Sequence, residues 1–167
     1  MDLDQWLMSE NKKIKNAHPK EYNGIKFRSQ LEVTTYKTLI EHGFTPKYEE
    51  ETFILWDGFI PSVPFYTKNK FKRKNHNIEV LSNSTCKDKR PLTGITYTPD
   101  FSFDYKDKHI IIEVKGLEND VFPYKFKLFR WHLEQQDNKD NIEVWEIFSK
   151  KQLIECIEHL KQETNGN

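Results

Sequence analysis

Cysteine is scarce in this chain: Cys86 and Cys156 are too few for a disulfide framework. The two cysteines also form no metal-ligand spacing with the six histidines. Disulfide-rich chains belong to oxidising compartments. The sequence therefore favours a reducing, intracellular setting, and a cytoplasmic location is the expectation.

Long hydrophobic runs are also missing. No apolar stretch approaches the roughly 20 residues that a membrane-spanning helix needs. The first residues, Met1-Asp2-Leu3-Asp4, lack the basic region and apolar run of a secretory signal. The sequence thus predicts neither export nor a membrane partner.

Net charge is absent, because 26 lysines and arginines balance 26 aspartates and glutamates. The charges are unevenly distributed, however, since residues 66–90 carry eight basic and two acidic side chains. A basic segment on a neutral protein is typical of phosphate contact, and a solvated loop is the equally weighted alternative. The candidate DNA-binding residues in this segment are Lys70, Lys72, Arg73 and Lys74.

Length and composition suit one compact domain, with 167 residues of which 36% are hydrophobic and 14% aromatic. Residues 1–22 are polar and are predicted to form a loosely held arm, which leaves 23–167 as the folded domain. Glycine, prolines and the basic run interrupt the pattern over about 57–95. This stretch is predicted to be a long basic insert, and inserts of that length are often functional.

Hydrophobic periodicity predicts an alternation of helices and strands. Ser29 is a predicted N-cap and Gly43 a helix stop, Asp120 is a predicted cap before Pro123, and Ser149 with Gln152 resembles a capping box. Helices are expected at about 28–42, 121–136 and 149–163, and strands at 47–55, 96–105, 109–115 and 142–148.

The order of these elements predicts an α/β sandwich around a central mixed sheet. The step from strand 109–115 through a helix to strand 142–148 is a βαβ unit. These two strands are therefore expected to be parallel.

Two predicted strands carry acidic side chains on one face. Alternation along 96–105 separates Asp100 from the aromatic side chains, and alternation along 109–115 puts Glu113 and Lys115 on one face. A tight turn at Lys106-Asp107 brings Asp100 opposite Glu113. Opposed side chains have Cβ atoms about 4.5–5.5 Å apart, so the two carboxylates repel each other.

A bound divalent cation would remove that repulsion. Mg²⁺ suits the position because it prefers oxygen ligands, typically one or two carboxylates together with substrate phosphates. Lys115, beside Glu113, is placed to orient an attacking water. Neither Glu-x-Lys nor Pro-Asp is specific alone, but both in register on adjacent strands indicate phosphodiester hydrolysis.

Pro99-Asp100 followed by Glu113-Val114-Lys115 resembles the defining motif of the PD-(D/E)XK nuclease superfamily. Within this superfamily, residues 25–117 resemble the bacteriophage endonuclease I family of junction-resolving enzymes and related small phage nucleases, both in the order of the motifs and in their residues. The similar segments are Phe27-Arg28-Ser29-Gln30-Leu31-Glu32, Tyr48-Glu49-Glu50-Glu51, Tyr97-Thr98-Pro99-Asp100-Phe101 and Glu113-Val114-Lys115-Gly116-Leu117.

The resemblance implies a restriction-endonuclease-like fold, Mg²⁺ as cofactor with Mn²⁺ able to substitute, and DNA as substrate, in the host cytoplasm if the chain is phage-encoded. It implies that Glu32, Asp100 and Glu113 are metal ligands and that Lys115 is the catalytic lysine. The alternative for Glu32 is a surface pair with Arg28.

The helix after the motif carries three basic residues that are candidate DNA contacts: Lys125, Lys127 and Arg130. The alternative is that they form solvated helix surface. Glu49, Glu50 and Glu51 are interpreted as the polar edge of a strand.

The oligomeric state and the exact activity are open at this point. The segment between Leu55 and Ile95 is longer than the bridge in the endonuclease I family. A homodimer that prefers branched DNA is expected, against a monomer that nicks ordinary duplex. The activity could also be that of an RNase of the same superfamily, or the chain could bind nucleic acid without cutting it.

Overall fold

The computed structural model describes residues 20–69, 77–116 and 121–162, and within them the chain is a mixed α/β protein, as predicted. The helices are α1 (Gln30–Glu41), α2 (Phe122–Leu133) and α3 (Lys150–Gln162). The strands are β1 (Lys20–Tyr22), β2 (Ile25–Phe27), β3 (Lys47–Tyr48), β4 (Phe53–Trp56), β5 (Phe65–Lys68), β6 (Ile78–Val80), β7 (Thr85–Asp88), β8 (Ile95–Tyr97), β9 (Phe101–Tyr105), β10 (Lys108–Val114) and β11 (Ile142–Ile147).

The chain divides into two compact units. We call the first the insert unit; its described residues are 54–69 and 77–96. We call the second the motif unit; its described residues are 20–53, 97–116 and 121–162. The stretch predicted as a basic insert, 57–95, falls in the insert unit, while most of the predicted arm and the basic residues 70–74 lie outside the described residues.

The motif unit is built on a four-stranded sheet with the order β11-β10-β9-β3. The parallel pairing predicted from the βαβ unit is confirmed, since β10 and β11 are parallel. The hairpin register is also confirmed: β9 and β10 are antiparallel, with Tyr105 paired with Lys108 and Phe103 with Ile110. A tight turn allows this register because Lys106 adopts a φ of 57°.

The prediction of one continuous strand over 96–105 is wrong. Strand β8 ends at Tyr97 and β9 begins at Phe101, with the buried Pro99 between them. Proline lacks the N–H that a sheet ladder requires, so pairing stops there. The β9–β10 ladder accordingly ends at Phe101 and Ile112, and Asp100 is not a ladder partner of Glu113.

The same break corrects the predicted arrangement of aromatic side chains. Alternation places Tyr97 on the same face as Phe101, but the two rings pack against different elements. The Tyr97 ring stacks on Phe129 of α2 with centroids 4.2 Å apart, whereas Phe101 lies 5.4 Å from Tyr48. The two rings thus belong to different layers of the motif unit.

Helix boundaries follow the predicted capping residues in most places. Glu32 N–H donates to Ser29 Oγ at 3.2 Å, and Gly43 ends α1 with a φ of 88°. Ser149 Oγ accepts from Gln152 N–H at 3.3 Å, but the Gln152 side chain bonds Phe148 N–H instead of completing a capping box. The N-cap of α2 is Val121 without a side-chain bond, while Asp120 lies outside the described residues.

The main core lies between the sheet and helices α1 and α3. It contains buried residues of β9, β10 and β11 together with Leu39, Leu153 and Ile157. Helical periodicity predicts that Phe122, Phe126, Phe129 and Leu133 form the buried stripe of α2. Phe122, Phe129 and Leu133 are buried, and Phe126 is partly buried. None of the helices in the described part of the chain is both long and apolar enough to cross a membrane.

The insert unit contains a three-stranded antiparallel sheet with the order β5-β7-β6. Two glycines elsewhere in this unit bring backbone segments together. A Cβ added at Gly58 would lie 2.7 Å from Leu92 O, and one added at Gly94 would lie 2.8 Å from Trp56 O. No real Cβ tolerates such distances to backbone, so these positions require glycine.

Gly58→Ala is therefore expected to destabilise the insert unit by about 1–3 kcal/mol, the usual cost of overpacking. Amide hydrogen exchange in β5 and β7, followed by mass spectrometry, measures this unit separately from the rest. Gly116→Ala is the matched control, because its Cβ would meet nothing within 4 Å. Unchanged exchange in Gly58→Ala would contradict the close approach.

His109 on β10 joins two neighbouring segments of the motif unit. Its Nδ1 lies 2.7 Å from Asp104 Oδ1, and its Nε2 lies 2.9 Å from Glu51 Oε2. Burial by itself lowers the pKa of His109, but the bonds to the two carboxylates outweigh it and raise the pKa. The protonated ring is therefore stabilised in the folded protein.

The pKa of His109 in the folded protein lies above the ordinary value of about 6.5. The stabilisation is therefore complete below about pH 6.5. It is lost as the pH rises through the folded pKa. His109→Gln should accordingly be less stable than wild type at pH 5.5, with the difference shrinking by pH 8.5. Urea unfolding at a series of pH values measures it, and a difference that is constant with pH would contradict the assignment.

Candidate active site

Asp100 lies in the break between β8 and β9, and only 6% of the residue is exposed. Its Oδ2 accepts a hydrogen bond from Val114 N–H at 2.7 Å, and its carbonyl accepts one from Glu49 N–H at 3.0 Å. The carboxylate is thus held against the end of β10.

Glu113 stands near the end of β10 and is 5% exposed. Its Oε1 forms an ion pair with Lys115 Nζ. Its Oε2 and the Tyr97 hydroxyl are both buried. The hydroxyl lies near the Glu113 carboxylate, but neither atom makes a well-aligned hydrogen bond with a described residue. A buried carboxylate oxygen without a partner is costly, so this oxygen marks a place where a ligand would add stability.

Lys115 follows β10 directly, and its N–H donates to Ile147 O at 2.9 Å. Its Nζ lies 3.9 Å from the centre of the Phe122 ring at the start of α2. An ammonium over an aromatic face gains a cation–π attraction. The Lys115 ammonium is therefore held between the Glu113 carboxylate and the Phe122 ring.

Glu32 is buried in the first turn of α1. Its Oε2 accepts hydrogen bonds from Tyr48 Oη at 2.6 Å and from Arg28 N–H at 2.9 Å. The alternative of a surface ion pair with Arg28 is wrong, because Glu32 is buried and Arg28 bonds it through the backbone N–H and not through the guanidinium. No local sequence pattern marks Tyr48 as the residue that orients this carboxylate.

The prediction of one strand over 47–55, with Glu49, Glu50 and Glu51 on its polar edge, is wrong. Strand β3 ends at Tyr48 and β4 begins at Phe53, so the three glutamates lie between strands. Glu49 has a φ of 51°, in the left-handed region, and its carboxylate forms an ion pair with the Arg28 guanidinium. Burial raises the pKa of Glu49, Arg28 lowers it, and the charges of Glu32 and Glu113 raise it further. The Glu49 carboxylate therefore lies within the field of the predicted site.

The pKa of Asp100 also responds to the neighbouring carboxylates. Burial raises the pKa of Asp100 well above its usual range, and the charges of Glu113 and Glu32 add to the rise. The Val114 N–H and Lys115 act in the opposite direction. Burial likewise raises the pKa of the Tyr97 hydroxyl, with the Glu113 charge as the next cause.

Asp100 and Glu113 have the donor chemistry for Mg²⁺ or Mn²⁺, which prefer carboxylate oxygens. The unpartnered Glu113 Oε2 and the raised pKa of Asp100 are both features that a divalent cation would relieve. Glu32 acts on Asp100 through its charge, and its Oε2 is bonded to Tyr48 and Arg28. Over 20–69, 77–116 and 121–162, no three His, Cys, Asp or Glu side chains form a group that could hold a metal ion.

The candidate DNA-binding residues of α2 differ in their surroundings. Lys125 is partly buried, and burial lowers its pKa while the Glu113 charge opposes this. Lys127 and Arg130 are exposed, and Arg130 lines a groove between α2 and β11 with Glu134 and Glu146. Of the three, Lys125 is the one whose charge is coupled to the predicted site.

The geometry thus brings Asp100, Glu113 and Lys115 into one buried region, with Glu32 and Glu49 in electrostatic contact with it. The candidate contacts Lys70, Lys72, Arg73 and Lys74 lie outside the described residues. Comparison with protein-family profiles, with curated proteins and with solved structures found no match to this chain.

Proposed function

We propose that this protein is a metal-dependent endonuclease that hydrolyses DNA phosphodiester bonds. The observation that carries the proposal is the pair of buried carboxylates, Asp100 and Glu113, with the Lys115 ammonium against them and a Glu113 oxygen left without a partner. The motif Pro99-Asp100 with Glu113-Val114-Lys115 supports the same activity from the sequence.

Asp100 and Glu113 would hold a Mg²⁺ or Mn²⁺ ion, which when bound would polarise the phosphate and lower the pKa of a water molecule. The remaining positions around such an ion are commonly filled by water and phosphate oxygens. The Val114 N–H fixes the orientation of the Asp100 carboxylate. Tyr48 fixes the orientation of the Glu32 carboxylate, whose charge acts on Asp100.

Lys115 has the chemistry to act on the reacting phosphate. Its ammonium can donate hydrogen bonds to the attacking water and to a non-bridging phosphate oxygen, where negative charge increases in the transition state. The Phe122 ring and Glu113 limit the positions that Nζ can take. Pre-positioning of this kind reduces the entropy that is lost when the reacting groups are brought together.

Substrate contacts outside the metal region are assigned to Lys125, Lys127 and Arg130 and to the basic residues Lys70, Lys72, Arg73 and Lys74. We further propose a homodimer that acts on branched DNA, because a two-fold dimer places two active sites in fixed relation. A monomer that nicks ordinary duplex is the competing arrangement.

A non-catalytic nucleic-acid-binding protein is the second candidate function. The observation in its favour is that no three-ligand metal group occurs in the described part of the chain. The retained Glu32, Asp100, Glu113 and Lys115 favour the enzyme instead. An RNase differs from the proposed DNase only in the sugar of its substrate.

One gel experiment tests these proposals. The purified protein is incubated with linear, nicked, single-stranded and four-way-junction DNA and with matched RNA, in Mg²⁺, in Mn²⁺ and in EDTA, alongside light scattering. We expect cleavage of DNA in either metal, preference for the junction and a dimeric mass. Binding without cleavage in both metals would establish the non-catalytic protein, and cleavage of RNA alone would establish the RNase.

A further inference from the structure

The Arg28–Glu49 ion pair links the start of α1 to the segment after β3. Arg28 immediately precedes the N-cap Ser29, and its backbone N–H is bonded to the Glu32 carboxylate at 2.9 Å. The Arg28 side chain is 49% exposed, whereas that of Glu49 is 23% exposed. The acidic member of the pair is therefore the more buried one, and the basic member reaches solvent.

The backbone of Glu49 adopts a left-handed conformation. A φ of 51° lies in the left-handed region, which is sterically unfavourable for a residue other than glycine. The hydrogen bond from Glu49 N–H to Asp100 O, at 3.0 Å, holds this conformation. Such conformations persist where surrounding structure imposes them, and they are concentrated at functional sites.

Arg28 stands in the field of several anionic groups. Burial alone lowers its pKa, but the charges of Glu49, Asp100 and Glu32 raise it. A guanidinium has five N–H donors in a planar fork, and a single carboxylate accepts two of them in a bidentate contact. A half-exposed guanidinium beside the proposed metal ligands thus retains the capacity to bind a second oxyanion.

We propose that Arg28 is a substrate-binding residue that contacts a phosphate of the nucleic acid next to Asp100, and that Glu49 positions the guanidinium for this contact. The inference rests on the proposed nuclease function. Arginine suits the role because its fork matches two phosphate oxygens, whereas lysine presents only a point charge. Glu49 competes with the phosphate for the same N–H donors, so its charge weakens the phosphate contact. Its ion pair with Arg28 also orients the guanidinium toward the phosphate.

This arrangement predicts a loss of DNA affinity when Arg28 is replaced and no loss when the charge of Glu49 is removed. DNA affinity is measured by fluorescence anisotropy with a four-way junction in Ca²⁺ at several salt concentrations. Arg28→Ala should weaken binding about tenfold, in keeping with the loss of a charged hydrogen-bonded contact. It should also reduce the slope of log affinity against log salt by about 0.9. Arg28→Lys should fall between Arg28→Ala and wild type, and Glu49→Gln should bind as tightly as wild type or more tightly.

An ion pair with a purely structural role gives a different pattern. Both Arg28→Ala and Glu49→Gln would then lower the thermal midpoint, and neither would change the salt slope. Lys26→Ala is the matched control, because it removes the same charge from an exposed residue of β2. We expect a smaller change in affinity from it than from Arg28→Ala.

The outcomes separate this inference from the proposed function. If wild type neither binds nor cuts any nucleic acid, the proposed function fails. If wild type cuts DNA while Arg28→Ala binds with wild-type affinity and salt slope, the role of Arg28 is refuted and the nuclease stands. Equal losses from Lys26→Ala and Arg28→Ala would also refute a specific contact.

Discussion

Asp100→Ala and Glu113→Ala are each expected to abolish metal-dependent cleavage, with rates lower by at least about a thousand-fold. Each substitution removes one of the two buried carboxylates that fit a divalent cation. The remaining carboxylate is a poor site alone, since it supplies only one or two oxygens. Single-turnover cleavage of a labelled junction in Mg²⁺ measures the loss, and calorimetric titration with Mn²⁺ measures metal binding directly.

Loss of fold must be separated from loss of chemistry in these variants. Asp100→Ala removes the acceptor of the Val114 N–H bond, and an unpaired buried amide costs about 1–3 kcal/mol. Asp100→Asn and Glu113→Gln keep the shape and an acceptor oxygen while removing the charge, so they should fold and remain inactive. Asp107→Asn, in the hairpin turn, is the control and should cut like wild type. Cleavage at the wild-type rate by Asp100→Asn or Glu113→Gln would refute the active-site assignment.

Lys115→Met is expected to lower kcat about a hundred- to a thousand-fold, the usual effect of removing one group that stabilises transition-state charge. KM and Mn²⁺ affinity should change much less, because Lys115 is not a proposed metal ligand. Methionine preserves the apolar contact with the Phe122 ring, so the difference isolates the ammonium. Steady-state kinetics on the junction substrate separate kcat from KM.

Lys115→Arg tests whether charge alone is enough. The guanidinium is planar and larger than the ammonium, so it cannot take the same position between Glu113 and the Phe122 ring. We therefore expect little recovery of kcat. Lys108→Met is the matched control, since Lys108 also forms an ion pair with a glutamate, Glu143 Oε1 at 4.0 Å. A wild-type kcat in Lys115→Met would remove the lysine from the mechanism.

Local patterns were enough to predict much of the motif unit. The register of β9 with β10, the cap at Ser29 and the stop at Gly43 each depend on residues within a few positions of one another. The parallel pairing of β10 with β11 follows from the handedness of βαβ connections, which is nearly independent of sequence. These features were predictable because short-range sterics and hydrogen bonding determine them.

The surroundings of the candidate site could be obtained only from the tertiary structure. The alternation of polar and apolar residues predicts Asp100 opposite Glu113 in a ladder. In the structure the ladder ends at Phe101, and Asp100 accepts a hydrogen bond from Val114 N–H. Periodicity does not distinguish Glu49 from Glu50 and Glu51. In the structure Glu49 has a left-handed φ, and its carboxylate pairs with Arg28.

The same holds for the residues that orient Glu32 and Lys115. Tyr48 lies 16 positions from the glutamate that it bonds, and Phe122 comes from a different element from the lysine that it covers. The alternation of polar and apolar residues records which face of a strand is buried. It carries no information about which distant side chain meets a given carboxylate, because that depends on how helices and strands pack after the chain has folded.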